Sequence, residues 1–233
     1  MLNSAKFTKP LYSNHLQECY DSYINNLRQI AAINLISRIA EESFMEVIPT
    51  DIKFNLSDNF DESATTVFDD NELIELSQEG HIQQITRQQA VISMCSLFEH
   101  YVNNLFPIIN LCGNKAKKYI NLKDDFNLKV STGNETLRKI YFIIKELEIK
   151  NHPFEHEQPI KLLGQIISIR NVLVHTGGVI SQKKHDSAIT NAHRSGNQIQ
   201  LGDNAIDDFL HRFVIHMRVL TSKLDDHLSE IKA

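Results

Sequence analysis

Eight glycines and five prolines are few for a chain of 233 residues, and three cysteines are an odd number. So little glycine and proline argues against a turn-rich, all-β chain. Cys19, Cys95 and Cys112 are too widely spaced for a disulfide framework or a zinc site, and no cofactor is implied. No apolar run approaches the ~20 residues that a membrane-spanning helix needs. The first residues, MLNSAKFTKPLYSNH, hold no apolar stretch of signal-peptide length. These absences lead to the expectation of a cytoplasmic protein with no membrane partner.

What is present is ordinary for a globular protein: 42% hydrophobic and 23% charged residues. The net charge of -5 is unevenly placed. Residues 1–80 carry 5 Lys and Arg against 14 Asp and Glu, whereas residues 81–233 carry 19 against 15. The second part could hold a polyanion, and within it residues 115–194 have 14 basic against 8 acidic side chains. The first part could repel a polyanion or fold back over the basic part. The bland alternative is that both are solvated surfaces.

Apolar residues at helical spacing (Leu16, Tyr20, Tyr23, Leu27, Ile30, Ala31, Leu35, Ile39) predict one long helix from Leu11 to about Met45. Asp51 to Glu79 is acidic and reads as loop, with a short alternating segment over Ile52–Leu56. A second helix is expected from Ile82 to Asn110, with Ile85, Ile92, Cys95, Val102, Phe106 and Ile109 inward and Pro107 disturbing its last turn. After a lysine-rich connection (Lys115, Lys117, Lys118, Lys123), Thr132-Gly133-Asn134-Glu135 has capping-box spacing and starts a third helix. A fourth follows Pro159 and stops at Gly177-Gly178. Gln198–Leu201 suits a short strand, and Asn204 starts the last helix, with stripe residues from Ile206 to Ile231. The expected fold is all-α. An up-and-down four-helix bundle fills 81–233, and residues 1–80 form an acidic helical extension with small irregular or β elements.

The segment Ile169–His175 stands out within this frame. Arg170 and His175 sit in a strongly apolar helical run, where packing alone does not call for a permanent cation or a side chain that exchanges protons near neutrality. Together they form a minimal kit for cleaving RNA: one group moves a proton and the other neutralises phosphate. At ~100° per residue, Lys161, Gly164, Ser168, Asn171 and His175 form one polar strip. Leu163, Ile166, Ile167, Leu173 and Val174 lie opposite, with Arg170 among them. Glu99, on the apolar stripe of its own helix, could pair with Arg170. A purely structural ion pair is the bland alternative. Arg170 and His175 are separated by ~140° around a regular helix. Either the last turn distorts, or two chains contribute to one cleft. Gly164 and Ser168, small and four apart, would let two such helices approach in a homodimer.

Arg170-Asn171-Val172-Leu173-Val174-His175 resembles the signature of the HEPN superfamily: an arginine, a polar residue, then a histidine after four to six residues. The helix carrying Ser96-Leu97-Phe98-Glu99-His100-Tyr101 is similar to the first bundle helix of that family. The resemblance covers about residues 81–231. It implies a metal-independent endoribonuclease acting as a dimer, often as a toxin or antiviral effector, and possible control by an antitoxin or regulatory protein. His175 would act as general base or acid, Arg170 would stabilise charge on the phosphate, and Asn171 would position either by hydrogen bonding. Glu99 and Ser168 would support them. The alternative is a non-catalytic helical interaction module. A nucleotide-binding domain is a third option, though no phosphate-cradling motif favours it.

Other clusters carry weaker signals. His152 and His156 lie beside Glu155 and Glu157 in a possible metal cluster, but Pro153 breaks the helix that would align them. His216 fits the edge of the core better than a ligand position. Asp208 and Arg212 form an ordinary helix pair. Tyr119 and Tyr141 could stack on bases or serve the core.

Overall fold

The computed structural model describes residues 7, 9–46, 79–109, 134–181 and 189–232. The expected strand at Ile52–Leu56, the lysine-rich connection, Cys112, Tyr119 and Thr132 lie outside them. Five α-helices account for most of the described chain: α1 (Asn14–Glu46), α2 (His81–Ile108), α3 (Glu135–Glu146), α4 (Glu157–Thr176) and α5 (Ala205–Lys232). A 3-10 turn (Asn191–His193) and a hairpin of β1 (Arg194–Ser195) and β2 (Gln198–Ile199) join α4 to α5. Helix takes up 75% of these residues and strand only those four, so the protein is all-α with one small β element.

Local chemistry sets the helix ends. Ser13 starts α1: its Oγ accepts from the Leu16 amide at 3.3 Å. The Asp225 carboxylate of α5 accepts the Tyr12 and Ser13 amides at 2.7 and 2.9 Å, tying the beginning of α1 to the far end of α5. Asn134 caps α3 by accepting the Leu137 amide at 2.9 Å, so the cap falls on Asn134 itself. Pro107 is accommodated in the last turn of α2, which stays helical to Ile108. Gly177 ends α4 with φ 59°, and the Gly178 amide reaches back to the Val172 carbonyl at 3.2 Å. That is a left-handed helix stop of the kind that favours glycine.

Helix α2 is the hub, packing against α1, α3, α4 and α5, while α5 also packs on α1 and α4. Residues of α1 (Leu16, Tyr20, Tyr23, Ile24, Leu27, Ile30) join those of the other helices in one buried cluster. Tyr23 stacks on Tyr101 with ring centroids 4.6 Å apart, and Phe98 meets Phe213 at 5.0 Å. Arg87 is buried on α2 and clasps the loop before α5, donating to the Leu201 carbonyl at 2.9 Å and to Asp203 at 2.6 Å.

Several apolar residues expected inside are outside. Leu35 and Ile39 on α1 are each 52% exposed and Ile85 on α2 is 59% exposed. Their helices carry apolar residues on more than one face, and only the sides turned to neighbouring helices are covered. Val174 on α4, expected on the apolar side, is 48% exposed for the same reason. The side chain of Ile231 lies outside the described ones.

Candidate active site

Helix α4 runs through the interior for most of its length: Leu163, Gly164 and every residue from Ile166 to Ile169 are buried. Towards its C-terminus the cover is lost on one side. Val174 and His175 are exposed, Arg170 and Asn171 half-exposed. On a helical wheel these four span about 140°, with Val174 and Asn171 between Arg170 and His175. The outward sector therefore includes the arginine at one edge and the histidine at the other.

Arg170 turns into that sector. Its Nη1 donates to Oδ1 of Asn171 at 3.1 Å, and its Nη2 faces Oε2 of Glu99 on α2 at 3.5 Å. The Arg170 side chain is 23% exposed and that of Glu99 33%. Nε of Arg170 is buried with no hydrogen-bond partner. The guanidinium is thus aimed by two neighbours but satisfied by neither: one contact is long, and one donor is idle. Asn171 and His175 are four residues apart on one helix face, about 5–6 Å between Cβ atoms. Asn171 therefore stands between the guanidinium it holds and the imidazole one turn on. Burial raises the pKa of the Cys95 thiol, so this neighbour stays protonated and does not neutralise Arg170 as a thiolate would.

Arg170, Asn171 and Glu99 thus come together, with His175 adjacent. Ser168 does not join them. It is only 9% exposed, buried beside Gly164 within the subunit, so this pair of small residues presents no outer surface to a second α4 helix. Of the two alternatives for bringing Arg170 and His175 together, distortion of the last turn is absent, since α4 is helical through Thr176. What narrows the angular gap is the bend of the Arg170 side chain towards Asn171.

The other sequence candidates are engaged locally. His152 Nδ1 accepts the Phe154 amide at 3.1 Å and Glu155 accepts the His152 amide at 3.3 Å, a self-bonded turn around Pro153. Tyr141 is half-buried against the core. His216 packs on Phe154 with ring centroids 5.9 Å apart, and burial lowers its pKa to about 4. Arg212 donates to Asp208 at 2.7 Å. Sequence reasoning overlooked Arg87, although the signal was the one that marked Arg170, an arginine among inward-facing helix positions. It also overlooked the carboxamide of Gln84, which brackets Leu201 by bonding both its amide (2.9 Å) and its carbonyl (2.8 Å). No family model, no curated protein and no solved structure matches this chain.

Proposed function

We propose that the protein is a metal-independent endoribonuclease of the HEPN type that cleaves single-stranded RNA. The observation that carries this reading is the shared outward sector of α4. A permanent cation, aimed by Asn171 and Glu99, and an exposed imidazole flank the same patch of surface. In the proposed reaction His175 takes the proton of a ribose 2′-hydroxyl. The 2′-oxygen attacks the adjacent phosphorus, the P–O5′ bond breaks, and a 2′,3′-cyclic phosphate and a 5′-hydroxyl end result. Arg170 exchanges its long contact with Glu99 for the non-bridging oxygens, where charge builds. The leaving 5′-oxygen needs a proton while the first imidazole still holds the one it took. His175 of a second copy supplies it if two subunits meet at this sector. The reading therefore includes a homodimer with a cleft between subunits, RNA as substrate and a cytoplasmic setting. It also leaves room for a toxin or antiviral role under an antitoxin or regulatory protein.

The test is cleavage of total RNA in excess chelator, with mapping of cyclic-phosphate ends. Wild-type protein should generate such ends, and His175→Ala and Arg170→Ala should each lose about a hundredfold or more in rate while keeping helical content. Cleavage that persists in both variants would remove these residues from the chemistry. A folded wild-type protein that cuts nothing would return the Arg170–Glu99 pair to a structural role in a non-catalytic helical module.

A further inference from the structure

Directly beyond His175 the chain builds a small, outward-facing shelf. Val179 forms an antiparallel bridge with Gln198, and Gln198 pairs with Ser195 across the hairpin. Residues directly opposite in antiparallel strands share a face. On this face Gln198 and Ser195 are exposed and Val179 is 40% exposed, whereas Gly178 and Ile199 behind them are buried. The shelf is fastened to the last turn of α4. The Val179 amide donates to the Thr176 carbonyl at 3.2 Å, and the Thr176 hydroxyl donates to the Val179 carbonyl. A turn of this kind keeps its end Cα atoms within about 7 Å, so the Cα of His175 lies at most about 11 Å from that of Val179.

We propose that this shelf is a base-reading subsite for the RNA strand cut at His175, with Gln198 as its specificity-determining residue and adenine as the preferred base. The inference rests on the nuclease reading above. Single-stranded RNA presents splayed bases whose edges and faces are open to protein groups. The Gln198 carboxamide sets one donor beside one acceptor, the pair that matches N6 and N7 of adenine. Val179 offers apolar surface for the ring, and the Ser195 hydroxyl can donate or accept at the rim. The two-stranded anchoring through Gly178 and Ile199 (amide to carbonyl, 2.8 Å) holds the reader at a fixed distance from the proton-exchanging group.

The experiment cleaves a random single-stranded RNA pool in chelator and sequences the ends made by wild type, by Gln198→Ala, and by His175→Ala as blank. Wild type should enrich adenine roughly tenfold at one position beside the cut bond. Gln198→Ala should lower that enrichment below about twofold, with cleavage beside adenine falling more than cleavage beside the other bases. Unchanged adenine enrichment in Gln198→Ala, or no base preference in wild type, would overturn the subsite and leave the nuclease reading intact. Binding separates the two the other way. The His175→Ala protein should hold oligoadenylate several-fold more tightly than oligocytidylate, and His175→Ala/Gln198→Ala should not. Equal affinities in the first protein overturn the shelf, whereas a folded wild type that never cleaves overturns the nuclease.

Discussion

Arg170 is held by contacts weak enough to break. The Glu99 pair is 3.5 Å long with both side chains partly exposed, a geometry worth about 0–1 kcal/mol in stability. Glu99→Gln should therefore shift the thermal midpoint by only a few degrees. If Glu99 aims the guanidinium, the same substitution should cut the cleavage rate about tenfold or more. Thermal melts and initial rates on one RNA check the two halves, and a large stability loss with unchanged rate would mark the pair as purely structural. Arg170 was legible as an apolar-run anomaly because a charge is costly where packing demands hydrocarbon, and Asn171 was legible only as part of the polar strip. Their mutual hydrogen bond was not legible, since it depends on a side-chain rotation that residue spacing does not specify.

At the scale of elements, the end of α4 matters most. Gly177 and Gly178 take φ 59° and 92°, and an added Cβ on Gly178 would meet nothing nearer than the Leu173 Cδ2 at 3.6 Å. The glycine is required by backbone conformation, not by space. Gly178→Ala should lower stability by about 1–2 kcal/mol, read from the urea midpoint, with no new clash. The Gly-Gly stop was visible in the sequence because glycine is the residue for a left-handed helix end. The cap of α3 is visible two residues out of place, with Asn134 serving instead of Thr132. The hairpin was half visible: Gln198–Ile199 is a strand, its partner Arg194–Ser195 is too short to show a period, and the bridge to Val179 is a non-local pairing.

For the whole molecule, His216 on α5 and His193 packed against it contribute an acid sensitivity to the fold. Burial lowers the His216 pKa from 6.5 to about 4, with Arg212 and His211 adding to the effect, and burial also lowers that of His193. Both are lowered in the folded state, so the unfolded chain takes up protons first. Stability from these two groups is complete above about pH 6.5 and declines as the pH falls below it, for His216 down to about 4. Denaturant midpoints at about pH 7 and about pH 5 should differ in that direction, and His216→Leu should reduce the difference. An equal slope in the variant would place the acid sensitivity elsewhere.

The helical class, the positions of the long helices and the oddity of an Arg–His pair in an apolar run were all determined by local pattern, because a 3.6-residue period and an end signal are properties of neighbouring residues. Which apolar faces would be covered was decided only by tertiary packing. Leu35, Ile39, Ile85 and Val174 have the character of core residues and lie outside, while Gly164 and Ser168 look like an open strip and lie inside. Burial depends on which helix comes alongside, and that is settled by contacts between residues far apart in the chain.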